Sequence, residues 1–162
     1  MWILQSNYSD IETFYPTLKK ELHSLVEGEK NLIANLANIS SWIYHSMPEL
    51  NWSGFYLWNE QDQELILGPF QGKPACIRIK PQRGVCGASY LHQKVMRVDD
   101  VHAFPGHIAC DGDSRSELVI PLLKDNKVIG VLDLDSPRPS RFSQRDEKEL
   151  TEIMREISLK IL

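Results

Sequence analysis

The chain has few cysteines and no long hydrophobic run. Its 162 residues contain three cysteines, an odd number that cannot pair completely, so the sequence does not indicate a disulfide framework. No CxxC pair occurs, which argues against a structural zinc site because the ligand spacings of such sites are specific. The apolar runs are far too short to span a bilayer, and the N terminus lacks the basic segment of a signal peptide.

The chain also has little excess of charge. Its net charge of −4 argues against nucleic acid or an anionic membrane surface as a partner. The apolar fraction of 42% and the charged fraction of 25% are ordinary for a globular protein. A chain of this length buries about 70% of its unfolded surface as one domain. Residues 1–162 are therefore predicted to form a single domain, and we expect a cytoplasmic protein with free thiols.

Apolar residues recur at helical spacing near both ends of the chain. Ser9 and Glu12 have the spacing of a capping box, which predicts that the first helix begins there. A second helix is expected to end before Pro48, and Ser143 is expected to cap the last one. The apolar faces of these helices are predicted to consist of Leu18, Leu22 and Leu25, of Leu32, Leu36, Ile39 and Ile43, and of Leu150, Ile153, Ile157 and Ile161.

Strand patterns occupy the middle of the chain. The segments WSGFYLW and ELILGPF, joined by NEQDQ, predict a hairpin, and PACIRIK alternates as a strand. RGVCGASYLHQ predicts a short helix that a glycine initiates. The clearest strands, ELVIPLL and KVIGVLDLD, are linked by KDN and predict an antiparallel hairpin. This order indicates an α+β fold in which a central antiparallel sheet carries the N- and C-terminal helices on one face.

The three cysteines lie in different predicted surroundings. Cys76 belongs to the alternating strand, where a small core residue is the simplest interpretation. Cys86 lies near a helix N terminus, where the helix dipole favours a thiolate. Cys110 lies in VHAFPGHIACDGDSRSE, whose composition predicts a loop, so it is the candidate for redox or nucleophilic chemistry. His102 and His107, in the same segment, are expected to pack within the loop.

Two carboxylates end the last predicted strand. Alternation places Asp133 and Asp135 on the same face as Ile129 and Val131. One interpretation is a solvated strand end. The other is a pocket that holds an ammonium group, or that shares a proton between crowded carboxylates.

Glu117 opens the partner strand and can join the two aspartates only if the hairpin is irregular. Regular pairing from a two-residue turn in KDN would set Glu117 opposite Leu134, on the face away from Asp133. A shared cavity therefore requires an odd loop or a bulge, or a position of Glu117 before the regular strand.

Aromatic residues supply a candidate wall for such a pocket. Trp52, Tyr56 and Trp58 lie on one face of the first strand if that strand is regular. Most clusters of this kind belong to a core. Trp52 lies at the end of the strand and is the one that we expect in a pocket.

These segments together resemble a known family. VDDVHAFPGHIACDGDSRSELVIPL, with RGVCG and GVLDLDS, resembles the free methionine-(R)-sulfoxide reductase family, which is built on a GAF domain. GHIACD and SRSE go beyond the general GAF pattern. The resemblance implies a single GAF domain that reduces free methionine (R)-sulfoxide, with thioredoxin as reductant and with no cofactor and no metal. Neither nucleic acid nor a membrane is an expected partner, and a homodimer stays open.

The resemblance also implies roles for the thiols. Cys110, as a thiolate, would attack the sulfoxide sulfur, release methionine and become a sulfenic acid. A second cysteine would then form a disulfide that thioredoxin reduces. Cys76 is the expected resolving partner and Cys86 the alternative. Cys86 also has its own claim to be the nucleophile, from the helix dipole.

The remaining site residues are assigned by the same resemblance. Glu117, Asp133 and Asp135 would bind the amino group and the sulfoxide oxygen, and Trp52 would hold the methyl end of the substrate. The competing function is a non-catalytic GAF module, which senses a small ligand or the redox state of its thiols.

Overall fold

The computed structural model describes residues 2–106 and 110–162, so His107 and the middle of the GHIACD motif lie outside the described residues. The strands form one antiparallel sheet in the order β3-β2-β1-β6-β5-β4. A 3-10 turn, Val101–Ala103, follows β4. The elements are α1 (Ile11–Leu25), α2 (Leu32–Ser46), β1 (Trp52–Asn59), β2 (Glu64–Gly72), β3 (Arg78–Ile79), α3 (Gly84–His92), β4 (Met96–Val98), β5 (Ser116–Lys124), β6 (Lys127–Ser136) and α4 (Gln144–Ile161).

The sheet separates two apolar clusters. One face packs against α1, α2 and α4 and forms the larger core, to which Phe55 and Leu132 of the sheet belong. The other face carries a smaller cluster that includes Trp52, Tyr56 and Cys86 of α3. The terminal helices therefore share one face, which confirms the predicted α+β architecture. No helix in the described part of the chain is long and apolar enough to cross a membrane.

The helix limits follow the sequence patterns except at the first N terminus. α1 has Asp10 as its N-cap, without a side-chain capping bond, so the capping box predicted from Ser9 and Glu12 is wrong. The helix begins one residue later than that box requires, which moves Glu12 out of the third helical position. At α4 the expectation is confirmed, because Ser143 caps the helix and forms a capping box with Asp146.

The segment PACIRIK is not a strand along its length. β3 is limited to Arg78 and Ile79 at the edge of the sheet, and Cys76 precedes it, so its predicted place in a strand is wrong. The chain before β3 lies instead over the face of the sheet that carries the smaller apolar cluster. At the opposite edge, β4 pairs with β5 and was not predicted, because three residues show too little periodicity.

The β5–β6 hairpin contains the irregularity that the sequence requires. Asp125 and Asn126 form its turn and both have positive φ, as in a type I′ turn. Beyond the turn the register shifts by one residue at Ile129, which has no partner on β5 and forms a β-bulge. The pairs on either side of the shift are Leu123 with Val128 and Leu122 with Gly130.

The bulge decides which side chains face the second side of the sheet. It sets Glu117 opposite Asp135, so Glu117 shares a face with Asp133 and the predicted irregularity is confirmed. The same shift turns Ile129 towards the helix-covered core, whereas Val131 packs in the smaller cluster. The prediction that these two residues share a face is therefore wrong, because alternation is broken at a bulge.

A buried carboxylate connects α4 to the N-terminal region. The Asp146 side chain accepts hydrogen bonds from the hydroxyls of Tyr8 and Tyr15 and from the backbone N–H and hydroxyl of Ser143. Arg141 Nη1 lies 3.5 Å from Asp146 Oδ2. Burial by itself raises the pKa of Asp146, but the hydrogen bonds led by that of Tyr15 outweigh it and lower this pKa.

We expect Asp146→Asn to lower the free energy of unfolding by about 1–3 kcal/mol at neutral pH, since an amide NH2 would face hydroxyl donors in a buried site. The folded-state pKa of Asp146 is lowered, so its contribution is complete above the unfolded pKa and is lost as pH falls through the folded one. Urea denaturation from pH 7 downwards measures this change. Glu152→Gln, an exposed carboxylate of the same helix, is the control and should change stability by less than about 0.5 kcal/mol. Equal loss in both variants would contradict the prediction.

Candidate active site

A pocket opens on the face of the sheet that carries the smaller apolar cluster. Its empty volume, including the mouth, is about 530 Å³. Every predicted site residue except Cys76 lines it. His102 lies in the 3-10 turn and is not part of the lining. The complete lining is Trp52, Tyr56, Pro74, Ala75, Ile79, Gly84, Val85, Cys86, Cys110, Asp111, Ser114, Glu117, Asp133 and Asp135.

Three carboxylates form the polar part of the pocket. Glu117 and Asp133 are only 7% and 6% exposed, and Asp135 is partly buried. Oδ1 of Asp133 is buried and has no hydrogen-bond partner within the described part of the chain. None of the ion pairs found among the described residues involves these three side chains. The cluster therefore concentrates acidic groups that no cationic side chain of the described residues pairs with.

Burial raises the pKa of all three carboxyl groups, and repulsion from neighbouring carboxylates raises those of Glu117 and Asp135 further. Burial comes first for Glu117, followed by the charges of Asp133 and Asp135. The pKa of Asp135 rises through burial and then through the charges of Asp133 and Asp111. Burial raises the pKa of Asp133 to about 6, against hydrogen bonds from Cys86 and Glu117. The cluster can therefore retain a proton near neutral pH when no cation is bound.

Cys86 lies beside these carboxylates in the first turn of α3. Its side chain is 3% exposed, and its thiol donates to Glu117 Oε1 over 3.8 Å. Burial, followed by the charges of Asp133 and Glu117, raises the pKa of Cys86. The prediction that the helix dipole favours a thiolate at Cys86 is therefore wrong. The dipole contributes about 1 kcal/mol, and desolvation and like charge outweigh it.

Cys76 and Cys110 are joined by a disulfide bond with a Cα–Cα distance of 5.4 Å. Both residues are partly exposed, and Cys110 lines the pocket. The sequence left two possible disulfide partners for Cys110, and in the structure the partner is Cys76. The bond joins positions 34 residues apart, and Cys86 is the free thiol of the described residues.

Aromatic rings build the apolar wall. Trp52 stacks on Phe70 and Tyr56, with ring centroids 5.3 and 5.8 Å away. Gly54 is necessary for this arrangement, because a Cβ there would lie 2.5 Å from the Trp52 ring. The Trp52 indole N–H donates to the carbonyl of Lys73 over 3.1 Å. The wall is therefore held rigidly against β1, and the pocket position predicted for Trp52 is observed.

Further pocket residues were missed by the sequence analysis. Asp111 and Ser114 enter the lining because the Asn51 amide donates to Asp111 Oδ2 over 3.1 Å and to Ser114 Oγ over 3.0 Å. The Tyr56 hydroxyl donates to the carbonyl of Cys76 over 3.0 Å. Asp111 and Ser114 follow Cys110 closely in the sequence, and this proximity was the available sign that they belong to the pocket. Only the contact with Asn51 shows that they turn inward.

Comparisons with known proteins give consistent results. A family model described as GAF domain matches residues 33–161. Protein YtsP of Bacillus subtilis is 53% identical over 152 residues, which covers 94% of this chain and 93% of that protein. The free methionine-R-sulfoxide reductase of Escherichia coli is 46% identical over 144 residues, covering 89% and 86%. An X-ray structure of free methionine-R-sulfoxide reductase from Neisseria meningitidis in complex with its substrate has a TM-score of 0.94 and 39% identity, covering 99% of this chain and 95% of that one.

Proposed function

The chain belongs to the free methionine-R-sulfoxide reductase family, whose members are built on a GAF domain, and from this premise we propose that it reduces free methionine (R)-sulfoxide by thiol chemistry. One observation carries the proposal: a disulfide-forming cysteine, Cys110, lines the same pocket as three carboxylates, two of them buried and one partly buried. The pocket thus combines a redox-active sulfur with groups that bind an ammonium and deliver a proton.

The carboxylates select a free amino acid. Buried negative charge without a counterion is unfavourable, and a substrate ammonium group would neutralise it. Asp133 Oδ1, which has no hydrogen-bond partner among residues 2–106 and 110–162, is available to accept from that group. A methionine sulfoxide within a polypeptide has no free α-amino group to offer. Trp52 and Tyr56 supply the apolar surface for the methyl end.

A protonated carboxyl group of the cluster acts as the acid. The raised pKa values of Glu117 and Asp135 keep a proton in the pocket near neutral pH. The Cys110 thiolate attacks the sulfoxide sulfur as this proton reaches the sulfoxide oxygen, so that a bond between the two sulfurs forms and the S–O bond breaks with the oxygen leaving as water. A water molecule then attacks the Cys110 sulfur, which breaks the sulfur–sulfur bond, releases methionine and leaves Cys110 as a sulfenic acid. The sulfoxide is reduced by two electrons and the thiolate is oxidised by two.

Cys76 resolves the sulfenic acid. Its thiol attacks Cys110, the oxygen leaves as water, and the disulfide forms. The Cα separation of 5.4 Å in the bonded pair is typical of an unstrained disulfide, and the hydrogen bond from Tyr56 positions the Cys76 backbone. Cys86 is less suited to either role, since its thiol is buried and its pKa is raised.

Thioredoxin then reduces the disulfide. Both bonded cysteines are partly exposed, and Ile77, next to Cys76, is 67% exposed, which gives a protein dithiol an apolar approach to the sulfurs. The two thioredoxin thiols become a disulfide while Cys76 and Cys110 return to thiols. A cycle of this kind operates in a reducing compartment, so we place the enzyme in the cytoplasm.

The substrate assignment predicts strict stereochemistry. The R diastereomer of free methionine sulfoxide should be reduced repeatedly and the S diastereomer should not, because the pocket is chiral and seats one oxygen direction. NADPH consumption, coupled through thioredoxin and its reductase, measures both. N-acetylmethionine (R)-sulfoxide is the matched control and should react poorly, since it lacks the ammonium. Equal rates on both diastereomers, or a single oxidation event per chain, would contradict the enzyme assignment and favour a redox sensor.

The carboxylate cluster predicts a second result. Glu117→Gln and Asp135→Asn should each lower kcat/KM at least about tenfold, the scale of one charge-assisted contact or one acid. Asp125→Asn, at the far end of the same hairpin, is the control and should keep full activity. Circular dichroism verifies that each variant is folded. If both pocket variants keep wild-type activity, these carboxylates neither bind the substrate nor protonate it, which would contradict the prediction.

The thiol roles predict three distinct single-turnover results. Cys110→Ser should release no methionine, because a hydroxyl does not ionise near neutral pH. Cys76→Ser should release a single methionine per active site and then stall, because no disulfide forms. Cys86→Ser should continue to turn over. Rapid-quench assays with the R sulfoxide separate these outcomes. A burst that persists in Cys110→Ser and disappears in Cys86→Ser would reverse the assignment.

A further inference from the structure

Cys86, Glu117 and Asp133 form a compact set of donors within the pocket. One donor atom from each lies within 4.8 Å of the others. All three side chains are more than nine-tenths buried, with 3%, 7% and 6% exposure, and each is carried by a regular element of the fold. Asp133 Oδ1 is buried and accepts no hydrogen bond from any described residue. We propose that this set binds a Zn²⁺ ion, which competes with the substrate for the pocket.

The distances suit a tetrahedral zinc site. Zinc binds sulfur at about 2.3 Å and carboxylate oxygen at about 2.1 Å, so neighbouring sulfur and oxygen ligands lie about 3.6 Å apart. Cys86 Sγ and Glu117 Oε1 are 3.8 Å apart. All separations between the three donor atoms are at most 4.8 Å, so the side chains would close around the ion as it binds. Three protein ligands would leave a fourth position open to the pocket, as in exchangeable zinc sites.

The donor types select the metal. A thiolate beside two carboxylates suits Zn²⁺, whereas Mg²⁺ and Ca²⁺ prefer oxygen ligands alone. Binding replaces the thiol proton of Cys86 with a zinc–sulfur bond and releases that proton to solvent. The double positive charge would also balance the carboxylates, which no ion pair of the described residues neutralises.

The competition follows from the position of the ion. Asp133 and Glu117 line the pocket and are the groups to which the proposed function assigns the substrate ammonium. One carboxylate pair cannot hold both cations, so bound zinc should exclude the sulfoxide. This part of the inference rests on the proposed function, whereas zinc binding itself does not.

Metal binding is tested on the oxidised protein, in which Cys76 and Cys110 are bonded and Cys86 supplies the thiol. Titration with Zn²⁺ in a calorimeter should give one ion per chain. Co²⁺ as a spectroscopic probe should give a near-ultraviolet thiolate-to-metal absorption band. Cys86→Ser should abolish the band and weaken Zn²⁺ binding at least about tenfold, because the variant lacks one of the three ligands. Loss of a residue that only orients a metal ligand already lowers metal affinity by about this factor. Asp125→Asn is the control and should bind as the wild type does.

Asp133→Asn keeps the thiol and the side-chain volume, so it separates loss of a ligand from misfolding. It should weaken Zn²⁺ binding at least about tenfold and preserve the wild-type circular dichroism. Binding that is equal in the wild type, Cys86→Ser and Asp133→Asn would overturn the inference, and so would the absence of a thiolate band.

Competition is tested by repeating the Zn²⁺ titration with saturating methionine (R)-sulfoxide, which should weaken binding several-fold. An unchanged titration would overturn the competition. A protein that reduces the sulfoxide and binds no zinc overturns this inference alone. A protein that binds zinc at Cys86 and reduces no sulfoxide overturns the proposed function alone.

Discussion

The register of the β5–β6 hairpin depends on one extra residue, Ile129, and the chemistry of the pocket depends on that register. The bulge allows Glu117 and Asp133 to face the same side of the sheet. With regular pairing, Glu117 would turn towards the helix-covered core, where an unpaired carboxylate would cost several kcal/mol. Gly130 accommodates the bulge, because a Cβ at this position would lie 2.5 Å from the Tyr56 carbonyl oxygen. Strand pairing and site composition are thus set by the same feature.

The pocket lowers the stability of the folded state, and the rest of the fold offsets this loss. Three carboxyl groups and a thiol share a largely buried region in which no described residue supplies a cation, and this opposes folding through desolvation and like-charge repulsion. The larger apolar core on the other face of the sheet has no such conflict and stabilises the strands that carry them. A cation that binds among the carboxylates therefore adds to the stability of the folded chain. Ligand affinity and local instability have the same electrostatic origin.

Identical side chains acquire different chemistry from their surroundings. Cys110 and Cys76 lie outside the regular elements, partly exposed and within bonding distance. Cys86 lies within α3, buried against Glu117, where its pKa is raised. A helix N terminus favours a thiolate only when the site around it is not acidic. The reactive pair and the metal-binding thiol proposed for this chain follow from that difference.

Local patterns were enough to identify the four helices, the two hairpins, the Ser143 cap and the family, because helical and strand periodicity, capping and motifs are local properties of the chain. They were not enough to find the short edge strand β4 or the true limits of β3. The sequence also required an irregular hairpin, since Glu117 and the aspartates share a face only then, but it did not locate the bulge. The tertiary structure decided that Cys76 leaves the strand to meet Cys110, that Asp111 turns into the pocket, and that Cys86 is buried beside carboxylates. Each of these depends on contacts between distant segments, which no local pattern encodes.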